Sequence, residues 1–390
     1  SGILSTQYSL DGKLSTAPSE YSGAMTLKDG VYDLQAQTRD RASNQTTITP
    51  MNFMVDTQIP NAPKVTQKIG SADYDGNYTK EPVTIDAVTD DDPDPISGYK
   101  NITYQVYKDN GLLHADVNEG WKVYDPSTKV MIGGNGLYQE DGIYSVRFKV
   151  TTQAGHSSKE SEATIKYKNT APDLNVIVNG TAKGRLVEEA WTNKPVSFEV
   201  KTTTGTSLHM KKGSAADYTE LQSKDGKPII AHQEKVTEEG ITNYSFMSKN
   251  EAGIESVTSS YRVAYDTKAP NKPAIKVGTE NVEKDKWYGS AAINMNIEDD
   301  KTGEEEGKTS PRTLHFRRYA IGTAAGEFKE YSSTDSEVIE MLTVNTDGVY
   351  IFEAYAVDAA GNTSATTTET IRFSSALPQV SIAVDKPKVI

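Results

Sequence analysis

Polar and apolar residues alternate in four short stretches of the chain, each of which follows an acidic residue and a glycine. Counted from that glycine, positions +2, +4, +6 and +8 share one face of a strand, and most are apolar or aromatic. They are Tyr32, Leu34, Ala36 and Thr38; Tyr144, Val146, Phe148 and Val150; Thr242, Tyr244, Phe246 and Ser248; and Tyr350, Phe352, Ala354 and Ala356. A period of two is typical of a β-strand with one buried face, so four such strands are predicted.

The four stretches belong to a repeat whose internal spacing does not change. The acidic-Gly pairs are Asp29-Gly30, Asp141-Gly142, Glu239-Gly240 and Asp347-Gly348. Thirteen positions after each glycine stands a turn residue (Ser43, Gly155, Gly253, Gly361), and thirty positions after it a proline (Pro60, Pro172, Pro270, Pro378). Tight hairpin turns need a residue that tolerates positive φ. Each block is therefore predicted to be a β-hairpin, with return strands over 46–55, 158–167, 255–265 and 364–373 that the proline ends, because proline lacks an N–H for the ladder.

Outside the hairpins the repeats vary in length but keep a common order. Glycines 30, 142, 240 and 348 lie 112, 98 and 108 residues apart. An aromatic residue (Tyr78, Trp191, Trp287) stands four positions before the residue that opens a further strand (Pro82, Pro195, Ala291). About seven short strands in about 105 residues is the spacing of an immunoglobulin-like sandwich. The sequence thus predicts an all-β chain of tandem immunoglobulin-like β-sandwich domains in an elongated array.

Five segments follow from this register. We expect a partial domain that lacks its first strands over 1–58, complete domains over 59–170, 171–268 and 269–376, and the first strand of a further domain over 377–390. The junctions contain no Gly/Ser run, so neighbouring domains should be closely coupled. The incomplete ends suggest a fragment of a longer protein, and strand donation between subunits is the alternative.

Composition narrows the class of protein. The chain has 390 residues, of which 36% are hydrophobic, and 21 Tyr against 8 Phe, which suits strands with polar rims better than one large core. Its net charge of −13 gives it no electrostatic reason to bind nucleic acid or an anionic membrane surface. No apolar run reaches the ~18 residues of a membrane span. The absence of cysteine excludes disulfides and thiolate metal sites.

The hairpin block carries a family resemblance. The segments 29–32 with 40–44, and 347–350 with 358–362, resemble the bacterial Ig-like (Big-type) tandem repeats of large cell-surface, adhesin or S-layer-type proteins. The resemblance implies an extracellular location on a bacterial surface, with Gram-positive bacteria expected. The Asp-Gly-x-Tyr sequence also resembles a tyrosine corner, with Tyr32, Tyr144 and Tyr350 in that role and Thr242 in its place in the third repeat.

A search for catalytic motifs is negative, and the chain is predicted not to be an enzyme. The five histidines (His114, His156, His209, His232, His315) do not cluster, and no nucleophile elbow, zinc helix or phosphate-binding loop is present. The glycine-rich run 133–136 precedes a strand and is interpreted as a turn.

Calcium is the one ligand that the sequence suggests. Asp90, Asp91, Asp92 and Asp94 crowd one loop, Asp299 and Asp300 stand at the equivalent place in the fourth repeat, and Asp56 and Asp266 lie at junctions. Carboxylate oxygens in flexible loops are what Ca²⁺ prefers. The alternative is plain solvated acidic loops, because the third repeat carries Asn169, Asn250 and three threonines (202–204) at matching positions. An intramolecular Lys–Asn or Lys–Asp crosslink is a further option that the sequence does not locate.

Three classes of function compete. A structural or adhesive segment, such as a stalk, surface fibre or S-layer component, explains the repetition and the missing catalytic site; its partners would be neighbouring domains and other copies in a lattice or fibre. A glycan-binding or host-protein-binding module would use the insertion 110–136, with His114, Trp121, Tyr124 and Tyr138 in or beside it. The third class is an accessory region of a large secreted enzyme.

Overall fold

The computed structural model describes residues 2–90, 94–113, 120–182, 190–289, 291–297, 312–331, 337–342 and 347–383. Within these residues all regular secondary structure is β-strand. They therefore include no helix that is long and apolar enough to cross a membrane. The chain forms two compact units, one of Ser1–Ala171 with Asn250–Ile254 and one of Pro172–Lys249 with Glu255–Ile390.

The first repeat is a five-stranded sheet in the first unit. Its strands are β1 (Ile3–Ser9), β2 (Ser19–Glu20), β3 (Gly30–Asp40), β4 (Gln45–Thr47) and β5 (Met51–Val55). They are ordered β2-β1-β3-β4, and β5 also pairs with β3. No second sheet covers this one within the described part of the first unit.

The second repeat, also in the first unit, is a complete sandwich. Its strands are β6 (Lys64–Ile69), β7 (Ala72–Asp73), β8 (Val83–Val88), β9 (Tyr99–Lys108), β10 (Gly111–Leu113), β11 (Lys122–Val123), β12 (Val130–Ile132), β13 (Gly142–Thr152) and β14 (Ser161–Tyr167). One sheet has the order β12-β8-β6-β7, and the other has the order β10-β9-β13-β14 with β11 also on β9.

The second unit contains the third and fourth repeats. The third consists of β15 (Leu174–Val178), β16 (Thr181–Ala182), β17 (Trp191–Thr192), β18 (Ser197–Thr202), β19 (Thr206–Lys212), β20 (Thr219–Glu220), β21 (Ala231–Lys235), β22 (Gly240–Asn250) and β23 (Ser259–Tyr265). The fourth consists of β24 (Ala274–Val277), β25 (Glu280–Asn281), β26 (Trp287–Tyr288), β27 (Ala291–Asn296), β28 (Arg312–Ala320), β29 (Lys329–Tyr331), β30 (Glu337–Leu342), β31 (Gly348–Asp358) and β32 (Thr367–Phe373). The sheets are β16-β15-β18-β21 and β17-β23-β22-β19-β20, then β25-β24-β27-β30 and β26-β32-β31-β28-β29.

The predicted hairpin is present in every repeat with the same register. β3, β13, β22 and β31 each begin at the glycine of the acidic-Gly pair and run for eleven residues. Each glycine pairs with the residue 25 positions later: Val55, Tyr167, Tyr265 or Phe373. The second turn has positive φ at Ser43, Gly155, Gly253 and Gly361, as predicted. The predicted all-β sandwich fold is confirmed.

The alternating residues fill the cores of the three two-sheet repeats. In the second repeat Val146 and Phe148 of β13 are fully buried and belong to one cluster with Val83 and Ile85 of the facing sheet. Phe198 and Phe246 meet in the third repeat, with ring centroids 5.3 Å apart, and both are 0% exposed. Burying one such side chain contributes about 1.5–3 kcal/mol. These small separate cores hold each sandwich together.

In the second, third and fourth repeats the return strands begin three or four residues later than predicted, because a serine hydroxyl occupies the first rung of the ladder. Ser158 Oγ accepts a hydrogen bond from the Val150 amide (2.9 Å) and donates one to the carbonyl of Lys159 (2.7 Å). Ser256 and Ser364 make the same two bonds in their repeats. Regular pairing therefore starts only after the serine.

The prediction that the proline ends each return strand is wrong. The strands stop at Val55, Tyr167, Tyr265 and Phe373, five residues before the proline. What ends them is a contact of the intervening linker, described below. The glycine-rich run 133–136 does form a turn, with positive φ at Gly133 and Gly134. In the segment 377–390, which was predicted to form the first strand of a further domain, the described residues 377–383 are not in a strand.

Candidate functional site

The acidic residue before each glycine binds the linker that leaves the same repeat. We call this contact the linker clamp: the carboxylate at position −1 accepts a hydrogen bond from the backbone amide 28 residues later. The amides and their N–O distances are Thr57 to Asp29 (3.0 Å), Asn169 to Asp141 (2.6 Å), Thr267 to Glu239 (2.9 Å) and Ser375 to Asp347 (2.9 Å). Three of the four also receive the hydroxyl of the same linker residue, at 2.6–2.9 Å.

The linker clamp explains why the spacing of the hairpin is constant. The last pair of the ladder joins the glycine to the residue at +25, and the clamp then turns the amide at +27 away from the ladder towards the carboxylate. If one residue were inserted or deleted, that amide would point in the opposite direction, because successive N–H groups of a strand point to opposite sides. The Ser375 hydroxyl and amide also hold the pKa of Asp347 below its usual value.

The tyrosine corner is present where its partner residue is described. Tyr32 Oη donates to the carbonyl of Lys28 (2.7 Å), and Tyr144 Oη donates to the carbonyl of Glu140 (2.8 Å). For Tyr350 the equivalent partner, residue 346, lies outside the described residues. Each corner fixes the loop that carries the clamp carboxylate, so corner and clamp together hold both ends of the hairpin.

Asp56 organises the junction between the first and second repeats, inside the first unit. It is 7% exposed, and its Oδ2 accepts hydrogen bonds from the backbone amide (2.9 Å) and the hydroxyl of Ser97. Oδ1 accepts the Gln58 amide at 3.1 Å. His156 Nε2 donates to the carbonyl of Asp56 (3.0 Å). The Ser97 hydroxyl contributes most to a lowered pKa of Asp56.

Asp266 occupies the equivalent position in the second unit, with a different environment. Its carbonyl accepts the Asn362 side-chain amide (2.8 Å), and its Oδ1 accepts the Lys268 backbone amide (3.0 Å). Asn362 Nδ2 also donates to Asp358 Oδ2 (2.9 Å). Burial raises the pKa of Asp266, and the negative charges of Asp358 and Glu239 raise it further. At both junctions the backbone carbonyl of the aspartate accepts a side-chain hydrogen bond, but the pKa of the carboxylate is lowered at Asp56 and raised at Asp266.

Some of the residues predicted to bind calcium form other hydrogen bonds or ion pairs. Asp56 is surrounded by hydrogen-bond donors, which occupy the directions a cation would need. Asp90 forms an ion pair with Lys64, and Asp94 is exposed. Asp91, Asp92, Asp299 and Asp300 lie outside the described residues. Among the residues that are described, no three His, Asp or Glu side chains gather in a way that could hold a metal ion, and calcium binding stays a prediction.

The acids that precede the second turn close that turn. Asp40 Oδ1 accepts the amides of Ala42 (2.8 Å) and Asn44 (2.9 Å), and Asp358 Oδ1 accepts the amide of Asn362 (2.7 Å). In the third repeat Asn250 does the same with Ala252 and Ile254. An amide oxygen serves as well as a carboxylate here, which explains the Asn at this position.

The aromatic residues of the insertion are packed rather than displayed. Tyr124 is buried, and its hydroxyl donates to Asp86 (2.5 Å) and accepts the Ala87 amide (3.2 Å). Tyr138 is also buried, and the ammonium of Lys149 lies 4.0 Å from the centroid of the Trp121 ring. His114 lies outside the described residues. In the described part of the insertion Tyr124 is thus part of the core, and Trp121 is half-buried with a lysine ammonium over its ring.

Sequence reasoning missed two features of the junctions. The linker clamp was visible as an acid before every glycine and a Thr, Asn or Ser 28 positions later, but its two ends were not connected. The aromatics Trp191 and Trp287 begin short strands that pair in parallel with β23 and β32, whereas the prediction made them only the lead-in to the next strand.

A comparison with protein-family models gives a match in the fourth repeat. Residues 329–375, which include β31 and β32, match the family model of a bacterial Ig-like domain. No curated protein matches the chain. Among solved structures, the chicken CNTN1 FN1–FN3 domains are 14% identical over 81% of this chain and 100% of that one, with a TM-score of 0.24. A structure from a 1.5-MDa bacterial ice-binding adhesin, concerned with its retention on the host cell surface, is 13% identical over 82% and 99%, with a TM-score of 0.27.

These observations define the class of protein. In the described residues the second, third and fourth repeats are immunoglobulin-like β-sandwiches in tandem, the first repeat is a single sheet with the same hairpin, and the fourth repeat matches the bacterial Ig-like family model.

Proposed function

We propose that this chain is a non-catalytic structural and adhesive segment of an extracellular bacterial surface protein, in which the repeats act as spacers that transmit tension. The observation that carries the proposal is the linker clamp, which recurs in all four repeats without an insertion. The bacterial Ig-like match supports the surface location. Its partners would be neighbouring domains of the same chain and further copies in a fibre or lattice.

The clamp has a mechanical consequence. Without the clamp, a pulling force on the linker would act only on the return strand. The hydrogen bonds between the two strands would then break one after another, starting at the linker end. Because the clamp ties the linker to the residue before β3, β13, β22 or β31, the load enters both strands of the hairpin together. Several hydrogen bonds must then break at once, which raises the barrier to unfolding.

Removing a clamp should therefore weaken a repeat under force more than it weakens the repeat at rest. In the full chain, Glu239→Ala is expected to lower the force of one unfolding event in single-molecule pulling, and to speed hydrogen exchange of the Thr267 amide about tenfold, because that amide loses a charge-assisted bond. Asp225→Ala, which removes an exposed acid from a turn of the same repeat, is the matched control. Unchanged forces together with faster exchange at Thr267 would contradict the mechanical proposal.

Calcium binding by the acidic loops is a second, separate proposal. The stretch 90–94 holds four carboxylates, and its first residue, Asp90, lies beside the first junction, where its carbonyl accepts a hydrogen bond from Asn61 Nδ2 (3.1 Å). Millimolar Ca²⁺ is expected to raise the melting temperature of the second repeat over that in EDTA, and replacing the four loop aspartates by Asn should abolish the rise. Equal melting temperatures in Ca²⁺ and EDTA would leave solvated loops as the correct interpretation.

A further inference from the structure

A groove of about 550 Å³ lies on the outer face of one sheet of the third repeat. Tyr244 of β22 and Val263 of β23 are buried in the core of this repeat. Because successive residues of a strand point to opposite faces, their neighbours Asn243 and Arg262 face outward, and these two pair across the strands. The groove opens on this outer face. Its lining includes the polar side chains of Lys211, Ser214, Asn243, Ser245, Ser260 and Arg262, and among the described residues no Asp or Glu lines it.

The two cations of the groove are not neutralised by any acidic side chain in the described part of the chain. The Arg262 guanidinium has no ion-pair or hydrogen-bond partner there, and Lys211 Nζ donates only to a backbone carbonyl (3.1 Å). The hydroxyls of Ser245 and Ser260 bond each other at 2.9 Å. Because Arg262 is half-buried, water screens its charge less than that of a fully exposed arginine. The groove therefore offers two unsatisfied positive charges to an anionic ligand.

The outer sheet faces of the second and fourth repeats also carry an arginine, but each is neutralised within its own repeat. Arg147 forms an ion pair with Glu162 (3.3 Å), and Arg317 forms one with Glu353 (2.6 Å). Glu162 stands twenty residues after the glycine of its acidic-Gly pair, and the third repeat has Ser260 at that position. The third repeat thus keeps a cation on this face without the internal carboxylate, which leaves an external carboxylate to balance it.

The spacing of the charges favours an acidic glycan over a more densely charged polymer. β19 and β23 lie on either side of β22, so the backbones of Lys211 and Arg262 belong to strands about 10 Å apart. Amide and hydroxyl groups of β22 lie between them. A polysaccharide with a carboxylate on successive sugars has the complementary pattern, because hydroxyl-bearing rings separate its charges. Nucleic acid carries a denser charge, and the net charge of −13 opposes its approach.

We propose that this groove binds a polysaccharide that contains uronic acids. The Arg262 guanidinium donates two parallel hydrogen bonds to one carboxylate, Lys211 pairs with another, and Asn243 bonds the ring hydroxyls between them. The proposal deepens the adhesive part of the proposed function and rests on it for the extracellular location of the chain. The groove is separate from the insertion 110–136, which the sequence suggested as the glycan site.

Titration of the full chain with an oligogalacturonate and with an oligomannuronate, followed by calorimetry, tests the proposal. At least one of the two should bind, and more weakly as the salt concentration rises. Its methyl ester should not bind, because the ester keeps the sugar rings but lacks the charges. Arg262→Gln should weaken binding about tenfold, because it removes a bidentate charge-assisted contact. Lys211→Gln should weaken it about threefold, because an ammonium on a flexible stem acts as a single point charge.

Arg147→Gln is the matched control, because that arginine lies on the same face of the second repeat but is already paired with Glu162. It should leave binding unchanged. Ser260→Glu places the carboxylate of the second repeat in the groove, and it should abolish binding although Arg262 is still present. Both groove positions face outward, so hydrogen exchange of the Phe246 amide in the core strand should match that of the wild type in every variant.

Three results would overturn the proposal. The first is that neither oligosaccharide binds, and the second is that Arg262→Gln and Arg147→Gln affect binding equally. The third is that an oligoglutamate of the same charge binds as tightly, since the partner would then be an acidic peptide. Because Arg262 takes no part in the linker clamp, this titration and the pulling experiment can fail independently.

Discussion

Replacing Gly133 by alanine is expected to destabilise the second repeat by about 3 kcal/mol, one of the largest losses available from a single methyl group in this chain. A Cβ added there would lie 2.3 Å from Cε2 and 2.6 Å from Cζ of Tyr167, which is 2% exposed and packed among other core residues. The residue also has a φ of +86°, a region that L side chains avoid. The ring cannot withdraw, because its hydroxyl accepts the amide of Gly134 and its backbone pairs with Gly142.

Gly155→Ala is the matched control for the backbone contribution. Gly155 has nearly the same φ, +89°, but nothing lies within 4 Å of an added Cβ. We therefore expect a loss of about 1 kcal/mol there, from backbone strain alone. Both free energies can be measured by hydrogen exchange of β13 and β14 amides in the full chain. Equal losses in the two variants would show that the turn of residues 133–136 moves away from Tyr167 at little cost.

Local features of this fold were predictable because their causes are local. The alternation from Tyr144 to Val150 and the positive φ at Gly155 depend on residues within one hairpin, and both were predicted from spacing. The turn at Gly133 was predicted too, but its contact with Tyr167 was not, since 34 residues separate them. The spacing of residues indicates which positions are equivalent between repeats, but it does not indicate that the Tyr167 ring packs against Gly133.

At the junctions, too, the spacing of residues along the sequence does not reveal contacts between distant residues. Asp56 and Asp266 are identical in the repeat register, so the sequence predicts one role for both. The register does not reveal their hydrogen-bond partners, because the Ser97 donor to Asp56 lies 41 residues away, outside the hairpin. The linker clamp, by contrast, joins residues at a constant separation of 28, and four aligned repeats contain enough information to find it.

Folding lowers the pKa of Asp56 and raises that of Asp266. The same substitution should therefore have opposite effects on stability at the two positions. Asp56→Asn is expected to lower the melting temperature of the first unit by several degrees, since an amide has only one acceptor oxygen and its NH₂ would face the donors of Ser97 or Gln58. Asp266→Asn should be neutral or stabilise the second unit by up to about 0.5 kcal/mol. Its amide oxygen can still accept from Lys268, while the charge near Asp358 disappears.

The pH dependence of stability distinguishes this electrostatic explanation from a purely steric one. The folded state lowers the pKa of Asp56, so its stabilisation is complete above the usual Asp pKa near 3.8 and is lost as the pH falls through the lower, folded value. The folded state raises the pKa of Asp266, so that carboxylate destabilises the second unit at neutral pH, and the cost is relieved as the pH falls through the raised value. The free energy of unfolding, followed from pH 7 to pH 2, should therefore fall less for the first unit in Asp56→Asn than in the wild type. For the second unit, the rise expected in the wild type as the pH falls towards 3.8 should be absent in Asp266→Asn. Parallel pH profiles for the wild type and both variants would contradict the opposite environments of the two carboxylates.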